Sequence, residues 1–349
     1  MNLSLVVLAA GASRRFGAAN KLLQLLDGKP LLCHTLELAA ALPVMQRTKI
    51  FRAKPANCTK SGGIFMASIR TDLAVECTAA APALPGITQQ TRGTYFSTTE
   101  ICIKNDTCGA PIGKPAGRYV TLETDSLNRS HENYAQMAQE LAEELKAFLP
   151  AEGCVFVAGL GNRAITPDAL GPRTAAKVLA TRHFSQAMTE EERSCLPELR
   201  PVCVLAGGVL GQTGMESAEL IHAVCREVQP AAVVAVDALA CAELSRLGTT
   251  IQMSDSGISP GSGVANHRRE LSQRTLGIPV IALGIPTVVD LHTAAQSIYG
   301  RPVPKGQPNM MVTPRDVDRL IDHTGDLLAC ALNMALHPGM SFEQAESLG

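Results

Sequence analysis

The sequence predicts an α/β protein whose mostly parallel sheet carries helices on both faces. Four short, continuously apolar runs predict buried strands, at residues 154–158, 202–206, 232–236 and 279–283. Stretches with apolar residues at helical spacing lie between these runs. Continuous apolar strands that alternate with helices are typical of a parallel sheet covered on both faces.

Apolar residues at a helical period predict three main helices, at residues 131–149, 216–228 and 315–336. Thr313 is the expected N-cap of the last helix, because a Thr hydroxyl can satisfy free backbone amides there, and Pro314 suits the first helical position. Residues 46–115 contain many Pro, Gly, Ser and Thr residues and predict irregular structure. Order is therefore expected mainly from Tyr119 onward.

Composition and charge exclude several classes of protein. The 349-residue chain has 31 Lys and Arg against 32 Asp and Glu, a net charge of −1. This balance argues against direct nucleic-acid binding, which needs a basic excess. No apolar run reaches about 18 residues, so we expect no membrane span and a cytoplasmic protein. Eleven Cys without paired spacing indicate reduced thiols, and neither a metal nor another cofactor is expected.

Residues 1–45 predict a strand, a glycine loop and a helix. Gly11 would let the backbone approach a phosphate, and Arg15 and Lys21 would supply positive charge. This stretch resembles the start of nucleotidyltransferases of the molybdopterin-guanine and sugar-nucleotide type. The further strands and metal-binding carboxylates of that family do not follow, which predicts a truncated, vestigial unit and an irregular linker at 46–68. A nucleotidyltransferase and an inactive fusion are the functional alternatives that this unit leaves open.

Two aspartates follow apolar runs and form a candidate catalytic pair. Asp168 follows the first run in a loop with Gly159 and Gly161, and Asp237 follows the third run directly. Ligands of open parallel sheets bind beyond the carboxyl ends of the strands. Two carboxylates in one cleft share a proton, so such a pair can activate water and protonate a leaving amine. The alternative is that each acid simply caps the next helix.

Two glycine-rich loops could supply backbone amides to a developing oxyanion. The candidates are Gly159 and Gly161 in the first loop, or Gly261 and Gly263 in the second. A tight connection without a part in catalysis is the alternative for the second loop.

Long strings of residues resemble the spore germination endopeptidase family, among them 159–172, 211–216, 237–240, 249–263 and 275–290. The resemblance covers residues 69–338, which implies a peptidase domain there and a tail at 339–349. It implies an atypical aspartic endopeptidase, made as a zymogen, with Asp168 and Asp237 as catalytic residues. It also implies a homotetramer in the forespore or spore core that degrades small acid-soluble spore proteins.

The loop at 159–162 has the order Gly-x-Gly-Asn that the related hydrogenase-maturation peptidases share. That similarity implies a fold like theirs. Those peptidases place a metal-binding acid near the position of Asp168. A metal-assisted maturation peptidase is therefore the mechanistic alternative to a pair of aspartates.

The chain contains its own version of the sequence that this family cuts. Substrates of the family are cleaved after an acid that follows Thr or Phe, before an apolar residue and then Ala. Thr71, Asp72, Leu73 and Ala74 match that order. A tethered segment meets the site at an effective concentration on the order of millimolar. We therefore expect self-cleavage between Asp72 and Leu73 at mildly acidic pH, with an ordinary edge strand over residues 70–76 as the alternative.

Overall fold

The chain divides into two compact units, Met1–Phe65 and Met66–Gly349. The structure, a computed structural model, describes residues 25–26, 29–30, 71–79, 84–128, 132–184, 199–261, 269–300, 303 and 309–348. In the first unit, β1 (Leu25–Leu26) pairs antiparallel with β2 (Lys29–Pro30). The other predictions for this unit, including Gly11, Arg15 and Lys21, lie outside the described residues, as does Gly263 of the second unit.

The second unit alternates strands and helices along most of its length. Its strands are β3 (Ile87–Arg92), β4 (Ser97–Ile103), β5 (Gly117–Glu123), β6 (Val155–Gly159), β7 (Val202–Leu205), β8 (Ala232–Cys241), β9 (Thr250–Ser254), β10 (Val280–Asp290) and β11 (Met311–Val312). Its helices are α1 (Ala74–Ala79), α2 (Asp106–Gly109), α3 (Tyr134–Lys146), α4 (Leu170–Ala175), α5 (Leu210–Thr213), α6 (Ser217–Val228), α7 (Gln273–Leu276), α8 (Leu291–Tyr299), α9 (Val317–Leu336) and α10 (Phe342–Leu348).

Within the described ranges, nine strands of this unit form one mixed sheet. The order is β3-β4-β5-β9-β10-β8-β6-β7, and β11 pairs with the end of β10. Strands β10, β8, β6 and β7 are parallel to one another and contain the four apolar runs. Strands β3, β4, β5 and β9 extend this block in antiparallel pairs. The predicted α/β class is confirmed, with an antiparallel half that the sequence analysis did not predict.

Helices cover both faces of the parallel block, as predicted. Val155 and Val157 of β6 pack in the cluster that holds α3, α4 and α9, whereas Phe156 and Ala158 pack in the cluster that holds α6. Alternate residues of a strand point to opposite faces, so a fully buried strand contributes to two cores. All five residues of β6 are accordingly buried.

Three local predictions differ from the structure. Strand β8 runs through Asp237 to Cys241, so Asp237 lies inside a strand and not after its end. The N-cap of α9 is Asp316 and not Thr313, because the Thr313 hydroxyl donates to the Thr287 carbonyl, 2.8 Å away. Residues 87–103 of the predicted irregular region contain β3 and β4.

The predicted tail at 339–349 contains helix α10. Its Ala345 is 1% exposed, and the Phe342 ring meets Tyr134 of α3 edge to face, with centroids 5.9 Å apart. The helix also contacts α9. Residues 342–348 therefore add to the main core cluster of the second unit.

Candidate active site

Two cavities meet at the middle of β8. The Asp168 cavity, of about 350 Å³, is bordered by Asp72, Gly161, Asp168, Asp237, Gly261 and Thr287, among others. The Gln252 cavity, of about 340 Å³, is bordered by Asp72, Lys114, Asp237, Gln252, Gly261 and Gly284, among others. Asp72 and Asp237 border both cavities. The structure thus brings both predicted catalytic acids and the predicted cleavage point to one place.

The loop after β6 holds Asp168. This residue ends the 3-10 turn Thr166–Asp168, and the Asn162 amide donates to its carbonyl at 3.0 Å and to its Oδ2 at 2.9 Å. Gly161 has φ +109°, and a Cβ there would lie 2.1 Å from the Asp168 carbonyl oxygen. Only glycine allows the loop to fold this closely around the acid. Glycine at position 161 is therefore required to position this carboxylate.

Asp237 is held within the sheet and is 5% exposed. Its Oδ1 accepts a bond from the Ala238 amide at 2.9 Å. On the neighbouring strand β10 its partner is Gly284, whose own partner on β9 is Gln252. A strand residue is more rigidly placed than a loop residue, so Asp237 has a fixed position relative to its lateral neighbours Gly284 and Gln252.

The segment that precedes α1 lies against the end of β8. The Asp72 amide donates to the Ala240 carbonyl at 2.9 Å, and the Ala240 amide donates to the Asp72 Oδ2 at 2.8 Å. Leu73 and Ala74, which follow, are completely buried. The segment is therefore docked by both backbone and side chain. The edge-strand alternative is wrong because residues from Ala74 onward form α1.

The peptide bond between Asp72 and Leu73 is hydrogen-bonded on both sides. The Asp72 carbonyl accepts bonds from Lys114 Nζ at 2.7 Å and from Gln252 Nε2 at 2.9 Å. The Leu73 amide donates to Thr71 Oγ1 at 3.0 Å. Lys114 lies in none of the strings that carry the resemblance, and Gln252 lies in the string 249–263 without being a predicted site residue. Their positions in the fold bring them to this bond.

Glu76 of α1 anchors the same segment from its far side. The carboxylate accepts bonds from the amides of Ala242 at 2.8 Å and Glu243 at 2.9 Å, and Arg246 Nε lies 3.8 Å away. Burial raises the pKa of Glu76 above its ordinary value of 4.5, although hydrogen bonds to Thr71 and to these two amides oppose the shift. The buried carboxyl thus holds its proton more tightly than in the unfolded chain.

Glu76 is expected to make the protein more stable as the pH falls. Because the pKa of Glu76 is raised in the folded state, the folded chain binds more protons than the unfolded chain. The stabilisation that this carboxyl group contributes is therefore complete below pH 4.5, its ordinary pKa, and is lost as the pH rises through the raised pKa. Glu76→Gln should remove this part of the pH dependence. The measurement is the midpoint of thermal unfolding of the wild type and of Glu76→Gln, from below pH 4.5 to neutral pH. Parallel curves for the two proteins would contradict the expectation.

The glycines predicted to bind an oxyanion do not all lie at the cavity. Gly161 and Gly261 border the Asp168 cavity. Gly159 is the last residue of β6, and a Cβ there would be 2.3 Å from the Gly171 carbonyl oxygen, so it allows α4 to pack closely on the strand. Gly263 lies outside the described residues. Their assignment to an oxyanion stays a prediction.

The described residues show neither a metal-binding cluster nor a membrane-spanning helix. No group of three or more His, Cys, Asp and Glu side chains in this part of the chain is arranged to hold a metal ion. None of the helices described is both long and apolar enough to cross a bilayer. Inhibition by a chelator would distinguish the metal-assisted alternative from a pair of aspartates.

The chain is similar to known proteins in both units. A family model described as germination protease matches residues 85–300, and one described as MobA-like NTP transferase domain matches residues 5–63. The germination protease of Clostridium tetani (strain Massachusetts / E88) is 36% identical over 323 residues, which cover 80% of this chain and 99% of the relative. That of Priestia megaterium (strain ATCC 12872 / QMB1551) is 33% identical over 353 residues, covering 77% and 94%.

Among solved structures, the NiFe hydrogenase maturation protease HycI from Thermococcus kodakarensis KOD1 aligns with a TM-score of 0.31 and 17% identity. The alignment covers 54% of this chain and 98% of that chain.

Proposed function

Because the chain belongs to the germination protease family, we propose that it is an endopeptidase that begins the degradation of small acid-soluble spore proteins during germination. Under this proposal Asp168 and Asp237 activate the attacking water, and the protein is made as a zymogen that cuts itself between Asp72 and Leu73. It acts as a homotetramer in the cytoplasm of the forespore and spore core.

One observation carries the proposal: the residue that precedes the bond to be cut lies at the same cavity as the two aspartates. Asp72, Asp168 and Asp237 border the same cavity. A proteolytic site needs a carboxylate near the carbonyl that water attacks, and it needs the chain held in place while attack occurs. The pairing of Asp72 with Ala240 supports the second requirement.

The chemistry requires the two acids to hold one proton between them. The ionised carboxylate takes a proton from water as the oxygen attacks the Asp72 carbonyl carbon. The other carboxyl gives its proton to the Leu73 nitrogen as the C–N bond breaks. Burial of Asp237, which is 5% exposed, favours such sharing, because two ionised carboxylates in a low dielectric repel each other. The products are a carboxylate at Asp72 and an amine at Leu73.

Self-cleavage is the experiment that tests this function. Full-length protein is held at mildly acidic and at neutral pH, and its N-terminus is sequenced. We expect a new terminus at Leu73 at mildly acidic pH, and the processed protein should then digest an acid-soluble spore protein. The same incubation of Asp237→Asn should yield none. An equal yield from that variant would indicate a contaminating protease, and absence of the terminus at every pH would exclude self-processing.

A further inference from the structure

We propose that Lys114 and Gln252 form the oxyanion-binding side of the active site. This inference rests on the proposed function and names two further catalytic residues for it. The side chains contact the carbonyl oxygen of the bond to be cut, at 2.7 Å from Lys114 Nζ and 2.9 Å from Gln252 Nε2. These are normal hydrogen-bond distances, and the first is charge-assisted.

The side-chain amide of Gln252 forms hydrogen bonds with the backbone on both sides of the bond between Asp72 and Leu73. While Nε2 donates to the Asp72 carbonyl, Oε1 accepts a bond from the Ala74 amide at 2.7 Å. Gln252 belongs to β9 and is 8% exposed, so water cannot easily replace its side chain in these hydrogen bonds. A single amide group therefore holds a peptide of any sequence by its backbone, which suits an enzyme that must bind a second, external substrate in the same way.

The sheet register places Gln252 on the same face of the sheet as Asp237. Asp237, Gly284 and Gln252 stand side by side on β8, β10 and β9. Side chains that are paired laterally point to the same face of a sheet. A Cβ at Gly284 would lie 2.2 Å from the Asp237 carbonyl oxygen and 2.9 Å from Leu239 Cγ, so only glycine fits between the two neighbouring strands. Asp237 and Gln252 are thus two strand spacings apart, about 10 Å, on one face of the sheet.

Lys114 borders the Gln252 cavity from outside the sheet. It follows the 3-10 turn Ala110–Ile112 and Gly113, whose φ of +67° reverses the chain. Its ammonium lies 2.7 Å from the Asp72 carbonyl and 3.4 Å from the Thr71 carbonyl. An ammonium group adds a full positive charge to the amide donor, at the atom where negative charge develops.

Atoms and electrons balance in the cleavage step. Water oxygen bonds to the Asp72 carbonyl carbon, and its proton goes to the aspartate pair. The π electrons of the carbonyl move to its oxygen, where Lys114 and Gln252 stabilise them. The electrons return as the C–N bond breaks, and the Leu73 nitrogen takes its proton from the pair. Donors that bind an oxyanion more strongly than a carbonyl lower the barrier.

The test compares Gln252→Glu and Lys114→Met with the wild type in the full-length chain. Gln252→Glu keeps the acceptor for Ala74 and puts a carboxylate oxygen in the place of the donor to Asp72. The first-order rate of self-cleavage is expected to fall about a hundredfold in each variant, as for loss of one oxyanion donor. Hydrogen exchange of the Leu73 and Ala74 amides is measured in parallel, and their protection should stay close to that of the wild type.

Matched controls and a conservative variant make the result specific. Lys104→Met and Gln90→Glu alter exposed residues of the same types and should cleave at the wild-type rate. Lys114→Arg keeps a charged donor and should recover a large part of the rate lost in Lys114→Met.

Two results would overturn this inference and leave the proposed function standing. One is a rate within about threefold of wild type in both variants, which is far below the effect of a lost donor. The other is a slow rate that always accompanies loss of amide protection, because Lys114 and Gln252 would then only anchor the segment. A wild-type chain that never cuts itself would instead remove the proposed self-processing, and this inference with it.

Discussion

Replacing either catalytic candidate, by Asp168→Asn or Asp237→Asn, is expected to lower peptide cleavage at least about a hundredfold, the usual size of an acid–base effect. The amide has nearly the same shape as the carboxyl group, but it can neither take the proton of the attacking water nor return it to the leaving amine. At Asp237 the Oδ1 acceptor for the Ala238 amide is retained. The loss should therefore appear in the rate of self-cleavage and of spore-protein digestion, with little change in folding.

Asp125→Asn serves as the matched control, because Asp125 is exposed in a loop away from both cavities. Circular dichroism should show all three variants folded. A residual rate above about a hundredth of wild type in both site variants would place the acid–base chemistry elsewhere. Under the two-aspartate proposal, a chelator leaves the rate unchanged. Strong inhibition by the chelator, reversed by added metal, would favour the metal-assisted alternative.

Gly171→Ala is expected to destabilise the second unit by about 3 kcal/mol, the upper end of ordinary overpacking. A Cβ at Gly171 would lie 2.3 Å from the carbonyl oxygens of both Leu160 and Val236. Both oxygens belong to the backbone, so the clash cannot be relieved by rotation of a side chain. The Leu160 amide also donates to the Val236 carbonyl at 2.8 Å, which holds the two residues together. Either α4 or the end of β6 must shift, and Asp237, which follows Val236, loses its position.

The comparison for this prediction is Gly211→Ala. Gly211 lies in α5, and a Cβ there would have no atom within 4 Å, so alanine at this position should be neutral or slightly stabilising. Urea unfolding of both variants measures the difference. If Gly171→Ala unfolds at the same urea concentration as Gly211→Ala, the close approach of α4 to the sheet is not needed for stability. A normal cleavage rate in Gly171→Ala would show that Asp237 keeps its position.

The sequence predicts the parallel block well because its strands bury both faces. Runs such as 154–158 have no polar positions, and a helical stripe such as 216–228 repeats over three turns. The antiparallel half gives no such signal. Strand β3 has five of its six residues exposed and reads as polar loop. Its strand conformation comes from pairing with β4, which lies beyond any local pattern.

The sequence gives local signals for the two candidate aspartates, and it gives none for the contacts that Lys114 and Gln252 make with Asp72. Asp168 follows a glycine loop, which is a local signal. Asp237 interrupts an apolar run, and this break suggests a strand end, although the residues after it are again apolar and continue β8. Gln252 lies 180 positions from Asp72 along the chain, and Lys114 lies 42 positions away. Such contacts depend on the sheet register, which one sequence does not reveal.

Under the proposed self-cleavage, the same long separations determine when the first 72 residues can leave. Asp72 is held by Ala240, 168 positions later, and by Gln252 on β9, 180 positions later. Strand β9 is in turn paired with β10, which ends at Asp290. A ribosome synthesises all of these partners long after the cleavage segment has emerged. Under the proposed self-cleavage, a nascent or prematurely terminated chain therefore keeps its amino-terminal unit, and translation itself delays processing until the sheet is complete.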